Sequence, residues 1–154
     1  MPLITSSQIG KCGEILVQFR LLKLGIESAP MTTDAGIDLV AYIPSTRTAV
    51  TIQVKTNLRP KPAGGKGGDI LDWWLAKNSP AQLIALANLQ SDQVWLFRHE
   101  DFFAKAQQTP KPGIQSRLYF YTDSTYEATA GRHERDFEEF RIENKVGPYF
   151  GITA

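Results

Sequence analysis

Two short runs near the middle of the chain alternate apolar and polar residues with a period of two, the pattern of a half-buried strand. In residues 36–43, Ile37, Leu39, Ala41 and Ile43 fall on one face, and Asp38, Val40 and Tyr42 on the other. In residues 48–57, Val50, Ile52 and Val54 share a face, opposite Thr51, Gln53, Lys55 and Asn57. The turn-forming residues 44–47 join the two runs. Alternate residues of a strand lie roughly 6.6 Å apart, so Gln53 and Lys55 leave the same face as near neighbours. If Asp38 lies across from them, an acid, an amide and an amine converge.

Elsewhere the period is helical or broken. Ser6 or Ser7 can cap a helix running to about Lys23, stopped by Gly25. Ile9, Cys12, Ile15, Leu16, Phe19 and Leu22 make its apolar stripe, with Cys12 expected as a buried small hydrophobe. Glu14 lies off that stripe, beside Lys11. Gly10 and Gly13 are poor helix formers, costing up to ~1 kcal/mol each, and imply a close packing partner. Residues 26–32 read as a strand and 34–36 as a turn in which Asp34 serves turn chemistry. Residues 58–68 are basic, rich in Gly and Pro and aperiodic, hence a loop. Residues 69–77 read as a short helix or irregular flap. Their Trp73 and Trp74 are either base-stacking groups or anchors in a core or subunit interface. Residues 81–88 fit a buried strand or a helix, and their brevity favours the strand. Residues 93–98 read as a strand, 99–108 as a helix, 110–113 as a loop and 116–122 as an aromatic-rich last strand. Residues 132–145 read as a charged helix with Phe137 and Phe140 as its apolar contacts, and 147–151 as a tail pinned by aromatics. The order α-β-β-β-loop-β-β-α-β-α predicts an α/β domain spanning 1–154, a mixed sheet with helices packed on it.

Composition narrows the class. The chain has 154 residues, 42% hydrophobic and 21% charged, enough for a sizeable core. A net charge of +1 neither requires nor excludes nucleic acid. One cysteine excludes an internal disulfide and a cysteine zinc cluster, and fits a reducing cytoplasm. No run reaches the ~20 apolar residues of a membrane span, and the N-terminus lacks the pattern of a signal peptide. His99 and His133 have no partner at metal-ligand spacing. The basic loop misses the phosphate-loop template, since Gly67 follows Lys66.

The chemistry of the paired strands suits a hard cation. Mg²⁺ takes oxygen ligands, one or two of them from carboxylates. Asp38 would supply the firmest of these, with the Gln53 amide oxygen and the Val54 backbone carbonyl as neutral ligands. Glu14 would complete the shell, and Lys55 would sit beside a scissile phosphate. Lys11, Arg59, Lys61 and Lys66 are the candidate phosphate contacts.

Gly13 and Glu14 on a helix, Gly36-Ile37-Asp38 on a strand and Gln53-Val54-Lys55 on the next together resemble the PD-(D/E)XK endonuclease superfamily. The later Trp73-Trp74, Leu83-Ile84-Ala85-Leu86 and Val94-Trp95-Leu96-Phe97-Arg98 are similar to its small single-domain branch, which includes a cyanobacterial intron homing endonuclease. The resemblance covers roughly residues 6–106. It implies a restriction-endonuclease-like core and Mg²⁺-dependent cleavage of duplex or branched DNA, with Mn²⁺ as a substitute. It also implies a homodimer or homotetramer, with homing, restriction or defence, and junction resolution among the compatible roles. By the same resemblance Asp38 takes the metal-ligand aspartate, Gln53 the second acidic position, Lys55 the catalytic lysine and Glu14 the helix glutamate. Residue 37 is Ile where the motif's name has Pro, and Gln53 brings an oxygen but no charge. A catalytically silent protein of the same fold, binding DNA or a partner subunit, is the alternative reading.

Overall fold

The computed structural model describes residues 3–33, 35–64, 67–111 and 113–152. The turn residue Asp34 and the candidate phosphate contact Lys66 lie outside the described residues. The chain begins with α1 (Ser6–Lys23), then β1 (Glu27–Pro30), β2 (Leu39–Ile43) and β3 (Thr48–Asn57). Next come β4 (Lys61–Pro62), β5 (Asp69–Ala76), β6 (Leu83–Asn88), β7 (Gln93–Arg98) and α2 (His99–Lys105). It closes with β8 (Gln108–Lys111), β9 (Gln115–Tyr121), a 3₁₀ helix (Glu134–Phe140) and α3 (Ile142–Phe150).

Five strands form a mixed central sheet in the order β1-β2-β3-β6-β7. The hairpin expected around residues 44–47 pairs β2 with β3 antiparallel, Leu39 against Ile52 and Ile43 against Thr48. β3 and β6 run parallel, Gln53 against Ile84 and Lys55 against Leu86. One face of this sheet carries α1 and α3 over a cluster that includes Leu16, Val17, Leu21, Ile52, Ala85, Leu96, Val146 and Phe150. The other face is covered by a second, antiparallel sheet, β4-β5-β9-β8. Between the sheets lie Leu71, Trp73, Leu75, Ile84, Leu86, Trp95, Phe97, Leu118 and Phe120. β6 is therefore buried at every position, which is why residues 81–88 show no alternation.

Several expectations are corrected. Residues 69–77 are neither helix nor flap but mostly strand β5, and their apolar run arises because both faces are largely covered. The loop 58–68 contains the two-residue strand β4. The loop expected at 110–113 begins as part of β8, and the helix expected to reach residue 108 ends at Lys105. The charged stretch 132–145 divides into the 3₁₀ helix and α3, and α3 takes in most of the expected tail and buries Phe150. At α1 the cap is Thr5, whose hydroxyl accepts the Gln8 N–H at 3.2 Å while the Gln8 side chain accepts the Thr5 N–H at 2.8 Å, a capping box.

The largest correction concerns the rotation of α1. Gly13, Leu16, Val17 and Leu21 face the sheet, whereas Cys12, Ile15, Phe19 and Leu22 are exposed. The helix is apolar on two sides, so hydrophobicity alone does not choose between them. Gly13 does: a Cβ there would lie 2.8 Å from both Cβ and Cγ2 of Thr56. Only a bare backbone approaches β3 that closely, and the side of the helix holding Gly13 is the side that docks.

Candidate active site

The site is assembled where α1 crosses the C-terminal half of β3. Asp38 lies one residue before β2 and keeps the ladder going: its N–H donates to the Ile52 carbonyl, and its carbonyl accepts the Met31 N–H, both at 2.9 Å. Gly36, two residues earlier, has φ of +84° and packs so tightly on Pro80 that a Cβ would come within 2.8 Å of the proline ring. An L side chain is disfavoured at this turn on both counts. The carboxylate of Asp38 then reaches over β3, where Oδ2 accepts the Val54 N–H at 2.7 Å. Val54 is the residue between Gln53 and Lys55, so the acid is bonded to the segment of β3 that carries both.

Glu14 approaches from α1. Its Oε2 is 2.5 Å from Lys11 Nζ, and its side chain is far less exposed (18%) than that of Lys11 (59%). The hydrogen bond to Glu14, the charge of Glu14 and, more weakly, the charge of Asp38 hold the Lys11 ammonium above its usual pKa, against the small effect of burial. The pairing of Lys11 with Glu14 follows from their spacing of three residues on one helix.

Gln53 is engaged differently. Its Oε1 accepts a hydrogen bond from Ser79 Oγ at 2.5 Å. Ser79 belongs to the turn between β5 and β6, the same turn that places Pro80 on Gly36. Nothing in the sequence marked Ser79, which lies 26 residues from its partner. An amide oxygen has two lone pairs, so one acceptor site remains on Gln53 after this bond.

A cleft of about 470 Å³ opens beside this group, lined by Gly10, Lys55, Asn57, Arg59 and Lys61 among others. It brings Lys55 together with two of the candidate phosphate contacts; Lys11 stands apart at Glu14. The Asn57 side chain donates to the Asp72 carbonyl at 2.7 Å and ties the end of β3 to β5. Asp72, also unmarked by the sequence while β5 read as helix or flap, is buried and bridges two cations. Its carboxylate lies 2.8 Å from Lys61 Nζ and 2.9 Å from Arg117 Nε. Trp73 is a core residue, whereas Trp74 is half-buried on the outer face of the second sheet. His133 is buried with Nε2 at 2.5 Å from the Tyr126 carbonyl.

The donor set consists of two carboxylates, an amide oxygen and backbone carbonyls, which are hard ligands. Among the described residues no three of His, Cys, Asp and Glu gather as a metal cluster. Two carboxylates are within what Mg²⁺ ordinarily takes from a protein, water and phosphate supplying the rest. The residues present thus fit a magnesium-type site better than a zinc or calcium cage.

No protein-family model and no curated protein matches the sequence. Among solved structures the chain is similar to the bacterial homing endonuclease I-Ssp6803I. That match has a TM-score of 0.65 at 14% identity, covering 97% of this chain and 94% of the other. It is also similar to Hjc, a Holliday junction resolvase from the archaeal hyperthermophile Archaeoglobus fulgidus. Here the TM-score is 0.54 at 15% identity, covering 94% of this chain and 98% of the other. At these identities the likeness is one of architecture, and it spans nearly the whole chain: the protein has the restriction-endonuclease-like fold, its mixed central sheet carrying α1 and α3 on one face and the second sheet on the other.

Proposed function

We propose that the protein is a metal-dependent endonuclease that hydrolyses phosphodiester bonds in DNA. One observation carries this reading: the Asp38 carboxylate is bonded to the N–H of Val54, the residue of β3 between Gln53 and Lys55. That arrangement occurs in a fold shared with a homing endonuclease and a junction resolvase.

Asp38, Glu14, Gln53 and the Val54 carbonyl are the residues that would hold Mg²⁺, or Mn²⁺ in its place. When bound, the ion supplies charge to polarise a phosphate oxygen and to lower the pKa of a water molecule. Lys55 sets a cation against the charge that builds on the phosphate oxygens and orients the attacking water. Lys11 pairs with Glu14 and can meet a neighbouring phosphate. Arg59 and Lys61, with Lys66 from its place in the same basic loop, neutralise the flanking backbone.

One such site cuts one strand, and cutting both calls for a homodimer or homotetramer. The exposure of Ile15 (56%), Phe19 (55%) and Leu22 (61%) in one stripe of α1 supports self-association. The stripe adjoins β1, an edge strand, across an open groove of about 470 Å³.

A catalytically silent DNA-binding protein is the second reading. The bond from Ser79 to Gln53 Oε1 favours it, because it occupies part of a ligand that brings no charge. Cleavage of supercoiled and branched DNA with Mg²⁺ or Mn²⁺ decides between the two. The wild type should nick, while Asp38→Ala and Lys55→Ala should be slower by about 10²-fold or more. Salt-sensitive binding without cleavage by the wild type would establish the silent reading instead.

A further inference from the structure

The outer face of the second sheet has an unusual composition for a surface already backed by a complete core. Ile70, Asp72 and Trp74 of β5 alternate outward and pair with Tyr121, Tyr119 and Arg117 of β9. The intervening residues Leu71, Trp73, Leu75, Leu118 and Phe120 fill the core on the other side. On the outward side Ile70, Asp72 and Tyr119 are themselves buried, and Trp74 and Tyr121 are half-buried.

These groups are ordered by one another. Asp72 fixes Arg117 through Nε, and the Gln108 side chain accepts from its Nη1 at 2.9 Å. The guanidinium so held lies 4.9 Å from the centre of the Tyr119 ring and 5.8 Å from that of Trp74. A second guanidinium, Arg132, lies 5.3 Å from the Tyr119 ring centre and donates to its hydroxyl. Tyr121 sits 4.4 Å, centre to centre, from Tyr126 and borders a cavity of about 280 Å³ shared with Gln108, Arg117 and Tyr119. Lys61 and Arg117 both pair with the one carboxylate of Asp72, and Arg132 stands at the neighbouring Tyr119, so these groups bring three cations to one acid.

The face is continuous with the candidate active site. Lys61 lines the cleft beside Lys55 and is bonded to Asp72, and Asn57 anchors β5 at the same residue. Lys61 pairs with Ile70, and Ile70 pairs with Tyr121, so the cleft and this face meet at that end of the sheet. The half-buried rings of Trp74 and Tyr121 and the flat guanidiniums beside them are groups on which unstacked bases stack, while bases inside an intact duplex are already stacked and out of reach.

We propose that the outer face of β5 and β9 binds an unpaired DNA segment adjoining the cleavage site, with bases stacking on Tyr121 and Trp74 and phosphates meeting Lys61 and Arg132. This rests on the nucleic-acid reading above and specifies its substrate: DNA with a single-stranded flap or branch, in preference to a continuous duplex.

The experiment compares fluorescence anisotropy of a labelled paired duplex with that of the same duplex bearing a single-stranded flap, in EDTA at fixed salt. The wild type should bind the flapped DNA on the order of tenfold tighter, the scale of one stacked base. Trp74→Leu and Tyr121→Leu should abolish that preference while leaving affinity for the paired duplex unchanged, which also certifies that they fold. Quenching of tryptophan emission by the flapped DNA should be lost in Trp74→Leu. Lys55→Ala should keep the preference. Equal affinity of the wild type for both DNAs, or an undiminished preference in both leucine variants, overturns the proposal. Binding of neither DNA at low salt overturns the nucleic-acid reading as well.

Discussion

Gly10 and Gly13 lie three residues apart on α1, yet replacing each with alanine should move stability in opposite directions. Both substitutions gain helix propensity, about 0.8–1.0 kcal/mol in a helix interior. At Gly10 a Cβ meets nothing within 4 Å, so Gly10→Ala should stabilise the protein by up to about 1 kcal/mol. At Gly13 the new methyl lies 2.8 Å from Thr56 Cβ and Cγ2, and closer still to Oγ1. Thr56 belongs to β3 and its short side chain cannot swing away, so α1 itself must back off the sheet. Overpacking of this kind costs typically 1–3 kcal/mol, and a clash with a strand-held side chain belongs at the upper end. Subtracting the propensity gain leaves Gly13→Ala destabilised by about 2 kcal/mol. With a urea m-value of about 1.5 kcal/mol/M, that lowers the unfolding midpoint by roughly 1 M. The same shift would move Glu14 relative to Lys55, since each is adjacent in sequence to a member of the clashing pair. Urea unfolding followed by circular dichroism, with wild type and both variants side by side, tests the argument. If Gly13→Ala unfolds at the same urea concentration as Gly10→Ala or higher, the close approach of α1 to β3 is wrong, and with it the explanation of which helix face docks.

Gln53→Glu should keep the bond from Ser79, because a carboxylate accepts it as well as an amide does, and should add a charge to the ligand set. The Mg²⁺ concentration for half-maximal cleavage should fall on the order of tenfold, read from a metal titration of plasmid nicking. Replacing Ile15 and Phe19 with serine should leave the monomer's fold intact, since both are mostly exposed, and should reduce the mass measured by light scattering if α1 forms a self-association surface. The Tyr149 phenol is pushed up to about 12 from its usual 10, chiefly by burial, with the nearby Asp101 adding to the rise. The folded protein then holds more protons than the unfolded chain between these values, so its stability is whole below pH 10 and declines as pH rises towards 12. Because the ring is part-exposed, screening limits the loss to about 1 kcal/mol, and Tyr149→Phe should flatten the alkaline decline in unfolding free energy.

What the sequence determined by itself was local. Period-two alternation is legible wherever one strand face differs from the other, so the 36–43 and 48–57 runs and their hairpin could be read directly. The candidate residues Asp38, Gln53 and Lys55 came with them, because the alternation fixes which side chains share a face. Glu14 was legible as a helical acid beside Lys11. Tertiary structure decided the rest. β5 and β6 lost their alternation because each is covered on both sides, and a strand buried all round is indistinguishable by period from a buried helix. The docking face of α1 was undetermined while the helix was apolar on two sides, and the contact of Gly13 with Thr56 chose it. Ser79 and Asp72 reach their partners only across long sequence separations, through the β5–β6 turn and the pairing of β5 with β9. An acid, an amide and an amine could be named from the chain. The seating of the acid at the Val54 N–H, the bond from Ser79 to the amide and the aromatic face beyond Lys61 exist only once the chain has folded.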